Sequence, residues 1–159
     1  MIRKMDVNDI AAVRQVAAES WHDTYEGIIP REIRERFLEA AYSPTSLKMR
    51  LEQSILYVAE QNGSVVGFAN FFRLPEPGDA ELSAIYLLPA CQGQKLGTAL
   101  LESGISGLTD TERLYITVER DNGNARRFYE ARGFSTIAEF EEDFDGHNLN
   151  SVRMMRLLG

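Results

Sequence analysis

The chain has 159 residues, 44% hydrophobic and 26% charged, with a formal net charge of −7; this length suits one hydrophobic core, and a single domain over residues 1–159 is expected. The acidic balance argues against a nucleic-acid partner, which would need a local basic patch working against the overall field. No apolar run approaches the roughly 18 residues of a membrane helix, Met1-Ile2-Arg3-Lys4-Met5-Asp6 lacks the order of a secretory signal, and Cys91 is the only cysteine, so the chain reads as cytoplasmic, without a membrane partner or disulfides.

A short strand is expected at Ile2 to Met5. Asp6 then caps a helix whose apolar positions Ile10, Val13 and Ala17 repeat with helical spacing toward Trp21. Pro30 opens a second helix through Ile33, Phe37 and Ala41, and Ser43-Pro44 supplies a cap and first-turn proline for a third carrying Leu47 and Leu51. Ile55 to Glu60 and Val65 to Phe72 are rich in β-branched and aromatic residues and flank Asn62-Gly63, which predicts an antiparallel hairpin. Pro75, Glu76, Pro77 and Gly78 break the chain before a further strand, Glu81 to Leu88, that stops at Pro89. The spacing of Leu96, Leu100, Leu101 and Ile105 predicts a helix. A strand over Arg113 to Glu119, a helix over Ala125 to Arg132 stopped by Gly133, and a strand over Phe134 to Phe140 follow. Asp145-Gly146 turns the chain into a last strand ending near Leu157. The fold class is therefore mixed α/β, antiparallel in its first half, with crossovers in the second half that imply some parallel pairing, and flanked by helices.

Two segments carry chemistry. Leu87-Leu88-Pro89-Ala90-Cys91-Gln92-Gly93-Gln94-Lys95-Leu96-Gly97-Thr98 is a strand end, a polar glycine loop and a helix start. The first turn of a helix presents backbone N–H groups without intrahelical partners at the positive end of the macrodipole, so it can hold a pyrophosphate. The alternative is an ordinary strand-to-helix turn in which Gly93 and Gly97 only relieve the backbone. The segment is neither a dinucleotide fingerprint nor a Walker loop, since Gly-x-Gly-x-x-Gly and Gly-Lys-Ser/Thr are both absent.

The second segment, Val118-Glu119-Arg120-Asp121-Asn122-Gly123-Asn124-Ala125-Arg126-Arg127-Phe128-Tyr129-Glu130-Ala131-Arg132-Gly133-Phe134, resembles the GNAT pattern of strand, Asn-x-x-Ala-x-x-Phe-Tyr, then Gly-Phe. Gln92-Gly93-Gln94-Lys95-Leu96-Gly97 resembles that superfamily's Gln/Arg-x-x-Gly-x-Gly/Ala loop, in the family's order and at its usual separation. The resemblance implies a GNAT-type sheet with parallel pairing near the coenzyme site, and an acyl-CoA-dependent N-acetyltransferase that moves acetyl from acetyl-CoA, as co-substrate, to a primary amine of a small molecule or peptide. It implies coenzyme binding by Gln92, Gly93, Gln94, Lys95, Leu96, Gly97 and Thr98, and by Ile85, Tyr86 and Leu87 on a strand that diverges from Arg113 to Glu119. A backbone N–H there would polarise the thioester carbonyl, on which attack builds negative charge.

Lys95 departs from the family loop, standing where the first glycine usually is. A side chain fits there at negative φ, which is the expectation, with the ammonium adding charge near the phosphates; at positive φ it would be strained by about 1 kcal/mol. Tyr129 matches the tyrosine that protonates the departing thiolate. A reference phenol near pKa 10 donates uphill to a thiol near 8.5, by roughly 2 kcal/mol, until burial or partners adjust it. Asn122 matches an asparagine that hydrogen-bonds the coenzyme arm, and is equally a good helix cap. Glu81 begins the coenzyme strand, where related enzymes often place a general base; an ion-paired strand-end carboxylate is the alternative. Asp23 and Glu26, near Trp21 and Tyr25, stand where relatives build the acceptor pocket, against packing with solvated acids. His22 and His147 show no metal spacing with Cys91, so no metal is expected. A homodimer is compatible with all of this. A CoA-binding sensor without chemistry, or an enzyme using a longer acyl-CoA, remain the alternatives, and the amine is not legible.

Overall fold

Turn chemistry sets the hairpins. Asn62 and Gly63 have φ of 54° and 80°, and Asp145 and Gly146 have 51° and 83°, the two successive left-handed residues whose twist matches paired strands. In the computed structural model, which describes residues 1–93 and 95–159, the first turn joins β2 (Ile55–Gln61) to β3 (Ser64–Arg73), and the second joins β6 (Ser135–Phe144) to β7 (His147–Leu157). With β1 (Ile2–Lys4), β4 (Asp79–Leu87) and β5 (Arg113–Glu119), they form one sheet in the order β1-β2-β3-β4-β5-β7-β6. Among the described residues, β4 and β5 pair parallel and the other pairings are antiparallel. The strand expected over Phe134 to Phe140 runs on to Phe144, because pairing continues to the hairpin tip at Phe144 and His147.

The helices are α1 (Ile10–Tyr25), α2 (Arg31–Ala41), α3 (Pro44–Gln53), α4 (Leu96–Gly107) and α5 (Gly123–Ala131). Asp6 caps a single 3-10 turn, Val7–Asp9, that leads into α1. The Asp9 carboxylate returns the favour by accepting from the Asp6 amide at 2.9 Å, a reciprocal box that satisfies two otherwise orphaned donors. Ser43 caps α3 through the Ser46 amide at 3.1 Å, with Pro44 in the first turn.

Both faces of the sheet are covered. On one face, Val13, Val16 and Ala17 of α1 and Leu47 of α3 pack on Val58 and Phe68. On the other, Leu100 and Leu101 of α4 and Tyr129 of α5 pack on Phe71, Leu82, Ile116 and Val118. A third cluster joins Trp21 and Tyr25 of α1 and Ile33 of α2 to Leu149 of β7. Among the described residues, no helix is long and apolar enough to cross a membrane.

Candidate active site

The site exists because β4 leaves β5. Their parallel register holds only for Asp79, Ala80 and Glu81 against Arg113, Leu114 and Tyr115. Past that point β4 stays with β3 as far as Leu87, and β5 stays with β7 as far as Glu119. The register of β3 and β4 slips between Asn70 and Phe71, so Ser83 is an extra residue on β4, and its hydroxyl donates to the Asn70 carbonyl at 3.1 Å. Such a bulge bends and twists its strand, which swings β4 away from β5 and frees its backbone groups on that edge. The opening is a cavity of about 470 Å³ with Ile85, Tyr86 and Leu87 on one wall and Thr117 and Val118 on the other.

One end of the cavity is closed by the glycine loop and the start of α4, where Gln92, Gly93, Lys95, Gly97 and Thr98 line it. Among the described residues, the first bond of α4 runs from the Ala99 amide to the Lys95 carbonyl at 3.1 Å, and the amides of Leu96, Gly97 and Thr98 precede it in a first turn of the kind that can take an anion. The Leu96 side chain packs into the hydrophobic cluster beneath. Gln94, expected to bind the coenzyme, lies outside the described residues. The expectation for Lys95 is overturned: its φ is +64°, in the left-handed region. The cause is the tight reversal from loop to helix, which follows Gly93 at φ +84°; the conformation that suits glycine is here imposed on a lysine. A Cβ on Gly97 would come within 3.2 Å of the Phe128 ring, so a small residue there lets α4 and α5 close up around the cleft.

From α5 come Tyr129, Asn122 and Arg132. Tyr129 is buried, lines the cavity, and packs edge-on against Phe128 and Phe134 at centroid distances of 5.3 and 5.4 Å. Burial, with a smaller contribution from the charge of Glu119, pushes its phenol well above the ordinary value, so it stays protonated. Asn122 caps α5 through the Ala125 amide at 3.2 Å, the capping alternative, and also lines the cavity. Arg132 was seen in sequence only as a helix end, yet it lines the cavity, donates to Thr98 Oγ1 at 2.7 Å, and stacks on Phe128 at 3.9 Å. It locks the two helix ends together. Glu81 is not brought into this cavity: its carboxylate is 2.9 Å from Arg153 Nη2, the ion-paired alternative.

The profile of the acetyltransferase (GNAT) family matches residues 13–134. The chain belongs to the GNAT acetyltransferase family. This GNAT chain is 31% identical to an uncharacterized N-acetyltransferase, YuaI, of Bacillus subtilis, over 95% of this chain and 89% of that protein. It is 33% identical to a spermidine N(1)-acetyltransferase of Thermoplasma acidophilum, over 91% of each. A PaiA N-acetyltransferase from the same organism, solved in complex with coenzyme A, superposes with a TM-score of 0.83 at 27% identity, covering 99% of this chain and 98% of that one. An acyl-CoA-dependent N-acetyltransferase with a mixed sheet, parallel near the coenzyme site, is what the motifs implied; the family match supports the first and the β4–β5 pairing the second.

At the far side of the GNAT cleft from the loop, Asp23, Thr24 and Tyr25 of α1 line the cavity. Trp21 stacks on Phe37 at 4.2 Å as packing, while Glu26 is exposed. The Tyr25 hydroxyl stands 3.1 Å from that of Tyr86. Behind them is Glu119, which sequence reasoning did not single out. Desolvation pushes its carboxyl up, opposed by hydrogen bonds from Tyr25 and Asn122, and its Oε1 is buried without a hydrogen-bond partner among the described residues. The available signal was a carboxylate ending the alternating strand Leu114-Tyr115-Ile116-Thr117-Val118.

Proposed function

We propose that the chain transfers an acetyl group from acetyl-CoA to a primary amine of a small molecule or peptide by direct attack, as one domain over residues 1–159. The observation that carries this reading is the parting of β4 from β5, with a phosphate-type turn at one end of the cleft and the tyrosines with Asp23 at the other. The pyrophosphate would rest on the amides of Leu96, Gly97 and Thr98, with Lys95 adding charge, and the pantetheine arm would pair with the free edge of β4 at Ile85, Tyr86 and Leu87. A backbone N–H of that edge would then face the thioester oxygen, where a fixed donor is worth about 100-fold or more in rate. Tyr129 supplies the proton to the coenzyme thiolate as the C–S bond breaks. The ion pair with Arg153 supports Glu81 as a strut between β4 and β7 and leaves the base to be found elsewhere in the cleft.

Net charge of −7 and Asp23 in the wall favour an acceptor that arrives as an ammonium. Because a relative sharing 33% identity is named for spermidine, a polyamine heads the panel to be tried, followed by lysine and an α-amino peptide. Acetyl-CoA at 100 times its dissociation constant should stabilise the fold by about 2.7 kcal/mol, raising the melting temperature by about 5–10 °C. The same acetyl-CoA should acetylate at least one panel amine, read by mass. No thermal shift at saturating acetyl-CoA overturns the coenzyme site, and a shift without product on any amine overturns the transfer.

A further inference from the structure

Charge is unevenly placed around the cavity. Among the described residues that line it, the basic side chains are Lys95 and Arg132 at the loop end, and Asp23 at the far end is the one carboxylate. Arg132 is fixed in place. Its Nε donates to Thr98 Oγ1 at 2.7 Å, its Nη1 donates to the Phe128 carbonyl at 2.8 Å, and its guanidinium carbon stands 3.9 Å from the Phe128 ring centroid. Thr98 belongs to the first turn of α4 and Phe128 to the last turn of α5, so the planar fork is held from two sides and has one orientation.

What this cation lacks is a counter-charge. The chain has 24 acidic residues against 17 lysines and arginines, and Arg153 and Arg156 each hold a carboxylate at 2.9 Å. No carboxylate lies within 4.0 Å of Arg132 among the described residues. Its N–H groups beyond the two already used have no acceptor among those residues either. Thr98 accepts from Arg132, which leaves its own hydroxyl proton to donate elsewhere. Side-chain donors, a hydroxyl and the amides of the first turn of α4 thus stand side by side at one end of the cavity, the complement of a multiply charged phosphate group.

We propose that Arg132 clamps the pyrophosphate of the coenzyme, from a position that the Asn-x-x-Ala-x-x-Phe-Tyr and Gly-Phe pattern leaves open. The inference rests on the coenzyme reading above and adds to it a side chain and a choice of phosphate. The guanidinium is fastened to Thr98, a residue of the turn on which the pyrophosphate rests, so its free N–H groups meet that group and not the ribose 3′-phosphate. Held by two hydrogen bonds and a ring, it loses little freedom when it takes the anion. The competing reading is a strut that only joins α4 to α5, with the cation stabilised by the C-terminal carbonyl of α5.

Dissociation constants of coenzyme A and of 3′-dephospho-coenzyme A, measured by calorimetry at low and high salt for wild type, Arg132→Gln and Arg132→Lys, test this. A hydrogen bond to a charged group is worth about 10- to 100-fold in affinity. Arg132→Gln should lose about that factor for both ligands alike, since both carry the pyrophosphate, and its affinity should depend less on salt because one cation is gone. Arg132→Lys keeps the charge without the fork, so it should recover part of the loss and the wild-type salt dependence. Arg132→Met retains an apolar stem against Phe128 and carries the same expectation as Arg132→Gln should that variant not fold. A loss confined to coenzyme A would give Arg132 to the 3′-phosphate and overturn the choice made here. Equal losses in the glutamine and lysine variants at unchanged salt dependence would leave only the strut, and unchanged affinity would leave no role in binding; either overturns the clamp. Wild-type protein that binds neither ligand sinks the coenzyme reading itself.

Discussion

Replacing Gly104 by alanine tests how α4 is seated. A Cβ at that position would lie 2.0, 2.1 and 2.8 Å from three ring carbons of Phe71, whereas carbons in contact sit about 3.5–4.0 Å apart. Helix or ring must therefore move by about 1.5 Å. The ring has little room, being fully buried on β3 and edge-on to Tyr57 at 6.5 Å. An overlap this deep belongs at the upper end of the 1–3 kcal/mol typical of overpacking, about 3 kcal/mol. Alanine's better helix propensity returns about 1 kcal/mol, leaving a net loss near 2 kcal/mol and a fall in melting temperature of about 4–8 °C. Lifting α4 also displaces the turn at Leu96 to Thr98, so acetyl-CoA should bind more weakly. Thermal and urea denaturation of Gly104→Ala, Phe71→Leu and the double variant provide the assay. The smaller leucine should relieve the clash, with a favourable coupling of at least about 1 kcal/mol in the cycle. An unchanged or raised melting temperature in Gly104→Ala would refute the close approach of helix and sheet.

Tyr129→Phe keeps the ring and removes the donor; its turnover should fall about 100-fold or more with acetyl-CoA affinity within a few-fold. Burial keeps the hydroxyl protonated, so no alkaline limb belonging to Tyr129 is expected below about pH 10, and wild-type turnover in the variant would rule out the acid role. Lys95→Gly relieves a left-handed side chain, worth about 1–2 kcal/mol, against about 0.4–1 kcal/mol of added unfolded-state entropy. The net expectation is a melting temperature about 1–4 °C higher, with coenzyme binding a few-fold weaker and less sensitive to salt because one screened cation is lost. A lower melting temperature would show that the lysine side chain holds the loop by contacts that outweigh its strain.

Most of the elements were legible because their signals are local. Ser43-Pro44, Asn62-Gly63, Asn122 and Asp145-Gly146 act through φ preference and the nearest three backbone amides, and each caps or turns the chain where it was expected. The two motifs were legible for the same reason, since a glycine loop opening a helix and a helix carrying Phe128 and Tyr129 are each built from consecutive residues. Sequence by itself thus determined the elements, their order and the two family motifs. Tertiary structure alone decided the sign of φ at Lys95, which depends on where the strand before it and the helix after it are anchored. It also decided the partner of Glu81, which is Arg153 on a strand far along the chain. The opening of the cleft follows from one extra residue at Ser83 in a register that side-chain packing sets across the sheet. Tyr25 and Tyr86 are 61 residues apart and meet only because α1 packs across β4, a contact that no local periodicity encodes.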